Sequence, residues 1–249
     1  MYIINMTEVR NVYKDKIMQK YINDPKYDTN PNYESHQIKT RTHSIIVGPT
    51  GAGKTNFLYL FLEQMSDSFS EIYIYTSTKN QAIYQCFEKE FGIVIKPLNE
   101  IIPHPQLEQK RNKLVIFDDF IDSKSKVLKE QIDSYAVSSR HAGVSVCYLV
   151  QNYYSLLPKI RNQCGYIILL HMANKKNLKM ILGDMATDLV LQDFMEIVGH
   201  FTSRQFQFCF IDTTVGAKSM IRRNFDGFVD IPMTTQTGEI MYLDGKTFN

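Results

Sequence analysis

The chain has 249 residues, of which 44% are hydrophobic and 22% are charged, a composition ordinary for a globular protein with a sizeable core. Its formal net charge of +2 is too small to indicate nucleic-acid binding by itself, so any DNA contact must come from local basic patches or from several subunits together. Residues 1–8 lack the apolar core of a signal peptide, and no stretch approaches the roughly 18 apolar residues of a membrane helix. We therefore expect a protein that is neither secreted nor embedded in a membrane.

The four cysteines form no recognisable metal or redox motif. No two are close enough for a CxxC pair, and none combines with histidine at zinc-finger spacing. They are Cys86, Cys147, Cys164 and Cys209. We expect four reduced and mostly buried thiols.

The chain begins with a polar, irregular segment, residues 1–42. It contains a short helical pattern over 8–21, followed by Asp-Pro and Asn-Pro turn signals. We interpret this segment as an N-terminal arm that packs either on its own domain or on a neighbouring subunit.

Strands and helices alternate between residues 43 and 212. Strand patterns cover 43–47, 71–77, 93–95, 113–117, 144–150, 166–170 and 205–211. Helical spacing covers 54–65, 79–91, 125–139, 174–182 and 187–198, while 156–162 suits a short helix or a loop. This order predicts an α/β fold with a mostly parallel central sheet flanked by helices. Residues 213–249 are expected to form an irregular C-terminal extension that can include hairpins, within one compact domain overall.

A glycine-rich segment after the first predicted strand matches GxxxxGK[ST] in full. Its glycines let backbone N–H groups point at phosphate oxygens, and the N-terminus of the following helix adds positive charge there. Lys54 would contact the β- and γ-phosphates, and the Thr55 hydroxyl would bind Mg²⁺. The motif therefore predicts a site for ATP and Mg²⁺. The predicted nucleotide contacts are Gly48, Pro49, Thr50, Gly51, Ala52, Gly53, Lys54, Thr55 and Asn56.

The glycine pattern of a dinucleotide-binding loop is incomplete in this segment. Gly51 and Gly53 begin a GxG pattern, but position 56 is Asn, so GxGxxG is not completed. A Rossmann dinucleotide site is therefore excluded in favour of the P-loop.

A second motif is the apolar run 113–117, which ends in Asp118 and Asp119. The carboxyl end of such a strand faces the phosphates in a P-loop fold, so Asp118 is predicted to hold Mg²⁺, mostly through water. Asp119 is predicted to orient or deprotonate the attacking water. The simpler alternative for both residues is an Asp-Asp turn after a strand.

Three further residues are candidates by position. Gln151 follows the strand 144–150 and could sense the γ-phosphate, although a turn residue bonded to its own backbone is the alternative. Arg140 and Arg161 each precede a strand, and either could reach a neighbouring subunit's γ-phosphate as an arginine finger. For Arg140 the alternative is a cation that offsets a helix dipole.

Four segments together resemble the HerA–FtsK superfamily of ring translocases, and most closely the poxvirus-type packaging ATPases of large DNA viruses, virophages and related transposons. The segments are GPTGAGKT at 48–55, LVIFDD at 114–119, SSRHAGVSVCYLVQN at 138–152 and PKIRNQCGYIILL at 158–170. The resemblance covers roughly residues 40–172. The first two segments mark only a P-loop NTPase, and the last two narrow the family.

The resemblance implies a RecA-like P-loop fold and a homo-oligomeric ring of roughly five or six subunits. It implies ATP-driven threading of double-stranded DNA into a preformed capsid, with capsid or vertex proteins as partners and Gln151 as the sensor. The expected location is the host cytoplasm, a viral factory or the virion. One departure concerns Asp119, because the wider superfamily usually carries Glu there, and the shorter side chain weakens the assignment of water activation.

Other functional classes remain open at this point. A nucleotide kinase or another small-molecule P-loop enzyme would need a lid with several arginines, and the sequence has only scattered ones. A ring helicase or a non-catalytic nucleotide-binding module would carry the same P-loop.

DNA contact by a translocase needs phosphate contacts without base readout. Three basic stretches could supply them, although each could equally be a solvated surface. They are Lys124 and Lys126 with Lys129, Lys175 and Lys176 with Lys179, and Lys218 with Arg222 and Arg223.

Overall fold

The computed structural model describes residues 30–107, 111–121, 125–171, 174–185, 187, 189–214 and 220–229. The helical pattern predicted over 8–21, and the basic residues Lys124 and Lys218, lie outside these ranges. Within them, no helix is both long enough and apolar enough to cross a bilayer.

The described residues form one nine-stranded sheet in the order β3-β2-β4-β5-β1-β6-β7-β8-β9. The six strands from β3 to β6 are parallel, and β7, β8 and β9 continue the sheet in antiparallel pairing. The prediction of a mostly parallel sheet is confirmed. The strands are β1 (His43–Val47), β2 (Glu71–Thr76), β3 (Val94–Pro97), β4 (Lys113–Asp118), β5 (Val144–Val150), β6 (Cys164–Leu169), β7 (Cys209–Asp212), β8 (Ile221–Arg223) and β9 (Gly227–Val229).

Helices cover both faces of this sheet, as the sequence predicts. They are α1 (Tyr33–His36), α2 (Lys54–Gln64), α3 (Ala82–Phe91), α4 (Lys126–Ser138), α5 (Pro158–Arg161), α6 (Lys175–Asp184) and α7 (Leu191–Phe201). Apolar side chains of α2 and α3 pack in one core layer, and those of α4 to α7 pack in the other.

Strand β4 shows why the central strands have continuous apolar sequences. Val115 and Phe117 belong to one core layer, whereas Leu114 and Ile116 belong to the other. Because both faces of the strand are covered, alternate residues do not need to be polar.

Several predicted boundaries shift by up to four residues. The strand predicted over 205–211 begins only at Cys209, because residues 203–206 form bends and turns and Phe206 has a φ of +66°. A left-handed residue cannot continue a β-strand. The remaining helices and strands lie within a few residues of their predicted positions, which is the usual uncertainty at element ends.

The sheet extends beyond residue 212, so the described part of the predicted C-terminal extension belongs to the same core. Asp212 on β7 and Arg222 on β8 form an ion pair of 2.7 Å, and both side chains are at most 2% exposed. Arg222 also donates to the carbonyl oxygen of His36, and its guanidinium lies 4.5 Å from the ring centroid of Phe210. These contacts fasten residues 30–42 and the β7–β8 edge together.

The same contacts correct one DNA-binding candidate. Arg222 is 1% exposed and ion-paired with Asp212, so its proposed place in a surface basic patch is wrong.

The four cysteines are free thiols, of which Cys147, Cys164 and Cys209 are buried, and burial raises the pKa of Cys147 to about 12.

Candidate active site

The P-loop starts where three strands end side by side. The Gly48 N–H donates to the carbonyl of Val150 at 3.1 Å, and the Leu170 N–H donates to the carbonyl of Val47 at 2.9 Å. A Cβ atom on Gly48 would lie 2.9 Å from the Cβ of Leu170, so only glycine fits. The loop is therefore held between the tips of β5 and β6.

The loop has the backbone curvature that a phosphate cradle requires. Gly51 and Gly53 have φ angles of +78° and +98°, which are accessible to glycine and costly for other residues. Gly53 is the N-cap of α2 and has no side chain to satisfy the first N–H groups of the helix. These groups can therefore meet an anion, and the loop fits a chain of phosphate groups.

Lys54 is the first residue of α2, and its ammonium lies over the loop. The Nζ atom donates to the carbonyl oxygens of Gly48 at 2.8 Å and Pro49 at 3.2 Å. Burial lowers the pKa of Lys54, whereas the carboxylates of Asp118 and Asp119 raise it. The P-loop lysine and the acidic pair thus face a common space.

The acidic pair follows β4, and its two members have different surroundings. Asp118 is 5% exposed and pairs in register with Leu149 of β5. Burial has the largest influence on the pKa of Asp118, and it raises this pKa. Asp119 is exposed and has a φ of +49°, a conformation that Asp tolerates better than most residues. One carboxylate is therefore fixed in the protein, and the next faces solvent.

Sequence reasoning missed Tyr84, which contacts this pair. Tyr84 lies on α3, is completely buried, and donates its hydroxyl hydrogen bond to Oδ2 of Asp118. This bond lowers the pKa of Asp118 against the effect of burial. The residue lies within a predicted helix, but nothing in its spacing distinguishes it from other core aromatics.

Gln151 lies between the P-loop and the acidic pair, because β5 is the strand inserted between β1 and β4. Its side chain is exposed at the strand tip. The following backbone is fixed by Asn177 of α6, whose Oδ1 accepts from the N–H groups of Tyr153 at 2.8 Å and Tyr154 at 3.4 Å. Asn177 is a second residue that the sequence did not reveal.

The two candidate arginines differ in the ion pairs and hydrogen bonds that they form within the chain. The Nε of Arg161 lies 2.9 Å from Oδ2 of Asp184, and its Nη1 donates to the carbonyl of Leu156. Arg140 is exposed, and its Nη2 donates to the carbonyl of Gln163 at 2.7 Å. Arg140 lies in the short turn before β5. It is therefore near the amino-terminal ends of the strands, whereas the P-loop lies at their carboxyl ends.

The structure therefore brings together the P-loop residues, Asp118, Asp119 and Gln151, but neither arginine. In this arrangement, fixed charges and backbone amides line a space that fits a chain of phosphate groups. The hydroxyl of Thr55 and the carboxylate of Asp118 are hard oxygen donors of the kind that Mg²⁺ prefers.

Known proteins resemble this chain in structure rather than in sequence. No protein-family model matches the sequence, and no curated protein is detectably similar to it. Solved structures do match. B204, the DNA-packaging ATPase from Sulfolobus Turreted Icosahedral Virus, superposes with a TM-score of 0.55 at 16% identity, over 75% of this chain and 98% of that one. The chain therefore shares the fold of B204.

Two further solved structures superpose on this chain. The genome packaging NTPase B204 from Sulfolobus turreted icosahedral virus 2, in complex with AMPPCP, gives a TM-score of 0.56 at 17% identity, over 74% of this chain and 97% of that one. The cytoplasmic domain of the Type VII secretion ATPase EccC from Thermomonospora curvata gives 0.52 at 15% identity, over 80% of this chain and 27% of that one. The expected RecA-like P-loop fold is confirmed.

Proposed function

We propose that this protein is an ATPase that drives double-stranded viral DNA into a preformed capsid. The observation that carries the proposal is the convergence of a complete P-loop, the acidic pair Asp118–Asp119 and Gln151 at one edge of a sheet. The fold shared with B204, a DNA-packaging ATPase, supports the motor function. The expected partners are DNA, further copies of the chain, and capsid or vertex proteins, in the host cytoplasm, a viral factory or the virion.

Each residue of the site has a role that its position supports. The P-loop amides and Lys54 hold the β- and γ-phosphates, and their charges are fixed before the reaction begins. Asp119 is exposed beside the buried Asp118, so it can reach a water molecule and orient it or accept its proton. Gln151 senses the terminal phosphate from the tip of β5.

The oxygen atoms of Thr55 and Asp118 would hold Mg²⁺, whose charge neutralises the phosphate oxygens when it is bound. Asp118 suits this role because it is buried and fixed by Tyr84. Fixed ligands keep a metal site rigid.

A ring of this chain would place one subunit against the P-loop of the next, and Arg140 is the better candidate for the arginine finger. Arg140 is exposed and hydrogen-bonds only uncharged groups of Gln163 among its described contacts, whereas Arg161 forms an ion pair with Asp184. We expect Arg140→Ala to lower ATP hydrolysis by about 10³- to 10⁵-fold. Mixing Arg140→Ala subunits with Lys54→Ala subunits should restore part of the activity, because an intact P-loop then meets an intact Arg140. A mixture that stays inactive contradicts action in trans.

Helix α6 is the best-supported DNA contact. Lys175, Lys176 and Lys179 are exposed, and the Nζ of Lys176 lies 4.1 Å from the ring centroid of Tyr154. Tyr154 belongs to the segment that follows Gln151. The same segment therefore links the sensor residue to the basic helix. By contrast, Lys126 lies 3.8 Å from Glu130, which reduces the positive field of that stretch.

The function is tested by measuring steady-state ATP hydrolysis with and without linear duplex DNA at low salt. We expect DNA to raise the rate, and Lys54→Ala to abolish hydrolysis in both conditions. The triple variant Lys175→Ala, Lys176→Ala, Lys179→Ala should retain basal hydrolysis and lose the stimulation. Hydrolysis that ignores DNA would contradict the motor and favour a small-molecule substrate, whereas strand separation by the protein would indicate a helicase.

A further inference from the structure

Phe206 combines three features that are unusual for a phenylalanine. Its side chain is 47% exposed, although aromatic side chains normally bury much of their surface. Its φ of +66° lies in the left-handed region, which is strained for a bulky residue. Its ring also lies against the P-loop, since a Cβ atom on Gly53 would be 2.9 Å from Cδ1 of Phe206.

The loop that carries Phe206 closes on itself and is fastened at its C-terminal end. The Gln207 N–H donates to the carbonyl of Arg204 at 3.2 Å, which closes a turn around Phe206. On its C-terminal side, the Phe208 N–H donates to Oδ1 of Asn224 at 3.2 Å, and the Asn224 N–H donates to the carbonyl of Phe208 at 3.0 Å. The surrounding structure thus imposes the strained backbone. Strain of this kind concentrates at ligand sites.

The sheet places Phe206 on the side of the P-loop opposite the acidic pair. Strand β7 runs antiparallel to β6, with Cys209 opposite Leu169, and Val47 of β1 is paired with Leu169 on its other side. The start of β7 therefore reaches the same edge as the P-loop. The acidic pair lies beyond β5, in the other direction along the sheet.

A nucleoside triphosphate has two ends, and only one can face the acidic pair. If the terminal phosphate lies toward Asp118 and Asp119, the nucleoside must leave the loop on the other side. There the ring of Phe206 is exposed next to Gly53, where the loop joins α2. An aromatic ring offers a flat apolar surface on which a base can stack.

We propose that Phe206 is the platform on which the nucleobase of the bound triphosphate stacks. The proposal rests on the proposed function, because it assumes that the P-loop binds a nucleoside triphosphate. It adds a binding position for the nucleobase, and it predicts how strongly the site distinguishes one base from another. Every base has a π-face, so stacking discriminates weakly between bases. The site therefore accepts purine nucleoside triphosphates with little preference between adenine and guanine.

The first experiment compares ATP with inorganic tripolyphosphate, which has the phosphates and lacks the base. Binding of each to the full chain in the presence of Mg²⁺ is measured by calorimetry. We expect Phe206→Ala to weaken ATP binding by about tenfold and to leave tripolyphosphate binding unchanged. Phe206→Tyr keeps an aromatic ring and should bind ATP like the wild type. The control is Val137→Ala, because Val137 is 56% exposed on α4, near the opposite edge of the sheet.

The outcomes separate the platform from the function. Equal weakening of both ligands by Phe206→Ala would overturn the platform and assign Phe206 to the phosphate cradle. No weakening of either ligand would overturn it as well. If the wild type binds neither ligand, the proposed function fails, and the platform fails with it. A strong preference of the wild type for ATP over GTP would contradict the weak base selectivity.

A second measurement uses the absence of tryptophan from the chain. Phe206→Trp creates the only indole in the protein, so its fluorescence reports on this position alone. We expect ATP and GTP to change this emission and tripolyphosphate to leave it unchanged. An equal response to tripolyphosphate and ATP would mean that the loop moves on phosphate binding without contacting the base.

Discussion

The sheet differs on the two sides of β1, the strand that leads into the P-loop. On the side of β5 and β4, buried parallel strands carry apolar residues until their tips, where Gln151 and the acidic pair begin. On the side of β6 to β9, the strands turn antiparallel and bury a charged pair, Asp212 with Arg222. The first side concentrates charge where the phosphates would react, and the second uses charge to hold the edge of the sheet.

This difference separates chemistry from support. A change at Asp119 or Gln151 should alter the reaction and leave the fold intact, because both side chains are exposed at the ends of their strands. A change in the buried pair should alter stability and leave the chemistry of folded molecules intact. Substitutions at Asp119, Asp212 and Tyr84 test that separation.

Asp119→Asn tests the reaction side, where we expect a large effect. Loss of the carboxylate should lower the rate of ATP hydrolysis by about 10²- to 10⁴-fold, the range for a general acid–base residue. Asn tolerates the left-handed φ of +49° nearly as well as Asp, so the backbone should not change. The measurement is single-turnover hydrolysis beside ATP binding, and binding should stay within a few-fold of the wild type.

Asp67→Asn is the matched control, because Asp67 is also exposed and has a φ of +60° but lies between α2 and β2. It should leave hydrolysis unchanged. Retention of most activity by Asp119→Asn would show that water is activated elsewhere in the site.

On the supporting side, Asp212→Ala should destabilise the fold by about 3–5 kcal/mol, because it leaves the buried guanidinium of Arg222 without its carboxylate. Chemical denaturation monitored by circular dichroism measures this free energy of unfolding. Glu130→Ala removes an exposed partner of Lys126 and should cost at most about 1 kcal/mol. Equal effects of the two changes would mean that the buried pair does not hold the sheet edge.

The same contrast explains how far the sequence could predict the fold. Strands β1, β4 and β5 were predictable because a strand covered on both faces is a continuous apolar run, and because the P-loop and acidic motifs follow two of them. The sequence pattern over 205–211 places the start of β7 too early. The left-handed Phe206 lies in a loop that contacts the P-loop through its ring and β8 through the bonds between Phe208 and Asn224, and local spacing does not encode these contacts.

The candidate site shows the same limit. The P-loop, Asp118, Asp119 and Gln151 could be located because their chemistry is tied to strand ends. Tyr84 and Asn177 could not, because each acts on a residue far away in sequence. Arg222 was assigned to the surface because a charged residue is usually exposed, and its burial depends on Asp212 of the neighbouring strand.

The smallest predicted effect concerns Tyr84, which acts on the reaction side through Asp118. Tyr84→Phe removes the hydroxyl that donates to Oδ2 of Asp118 while keeping the ring in the core. We expect hydrolysis at neutral pH to fall by about two- to tenfold, the value of one hydrogen bond. Tyr73→Phe is the control, since its hydroxyl bonds the carboxylate of Glu71 at 2.9 Å, outside the site.

The pH profile gives the sharper test of this prediction. Asp118 must be ionised to act as a metal ligand, so activity should fade as the pH drops through its pKa. Burial raises this pKa, and the hydrogen bond from Tyr84 lowers it. Without the hydroxyl the pKa rises, and the acidic limb of the rate profile should move to higher pH. A profile that keeps its acidic limb while the rate falls would make Tyr84 a packing residue only.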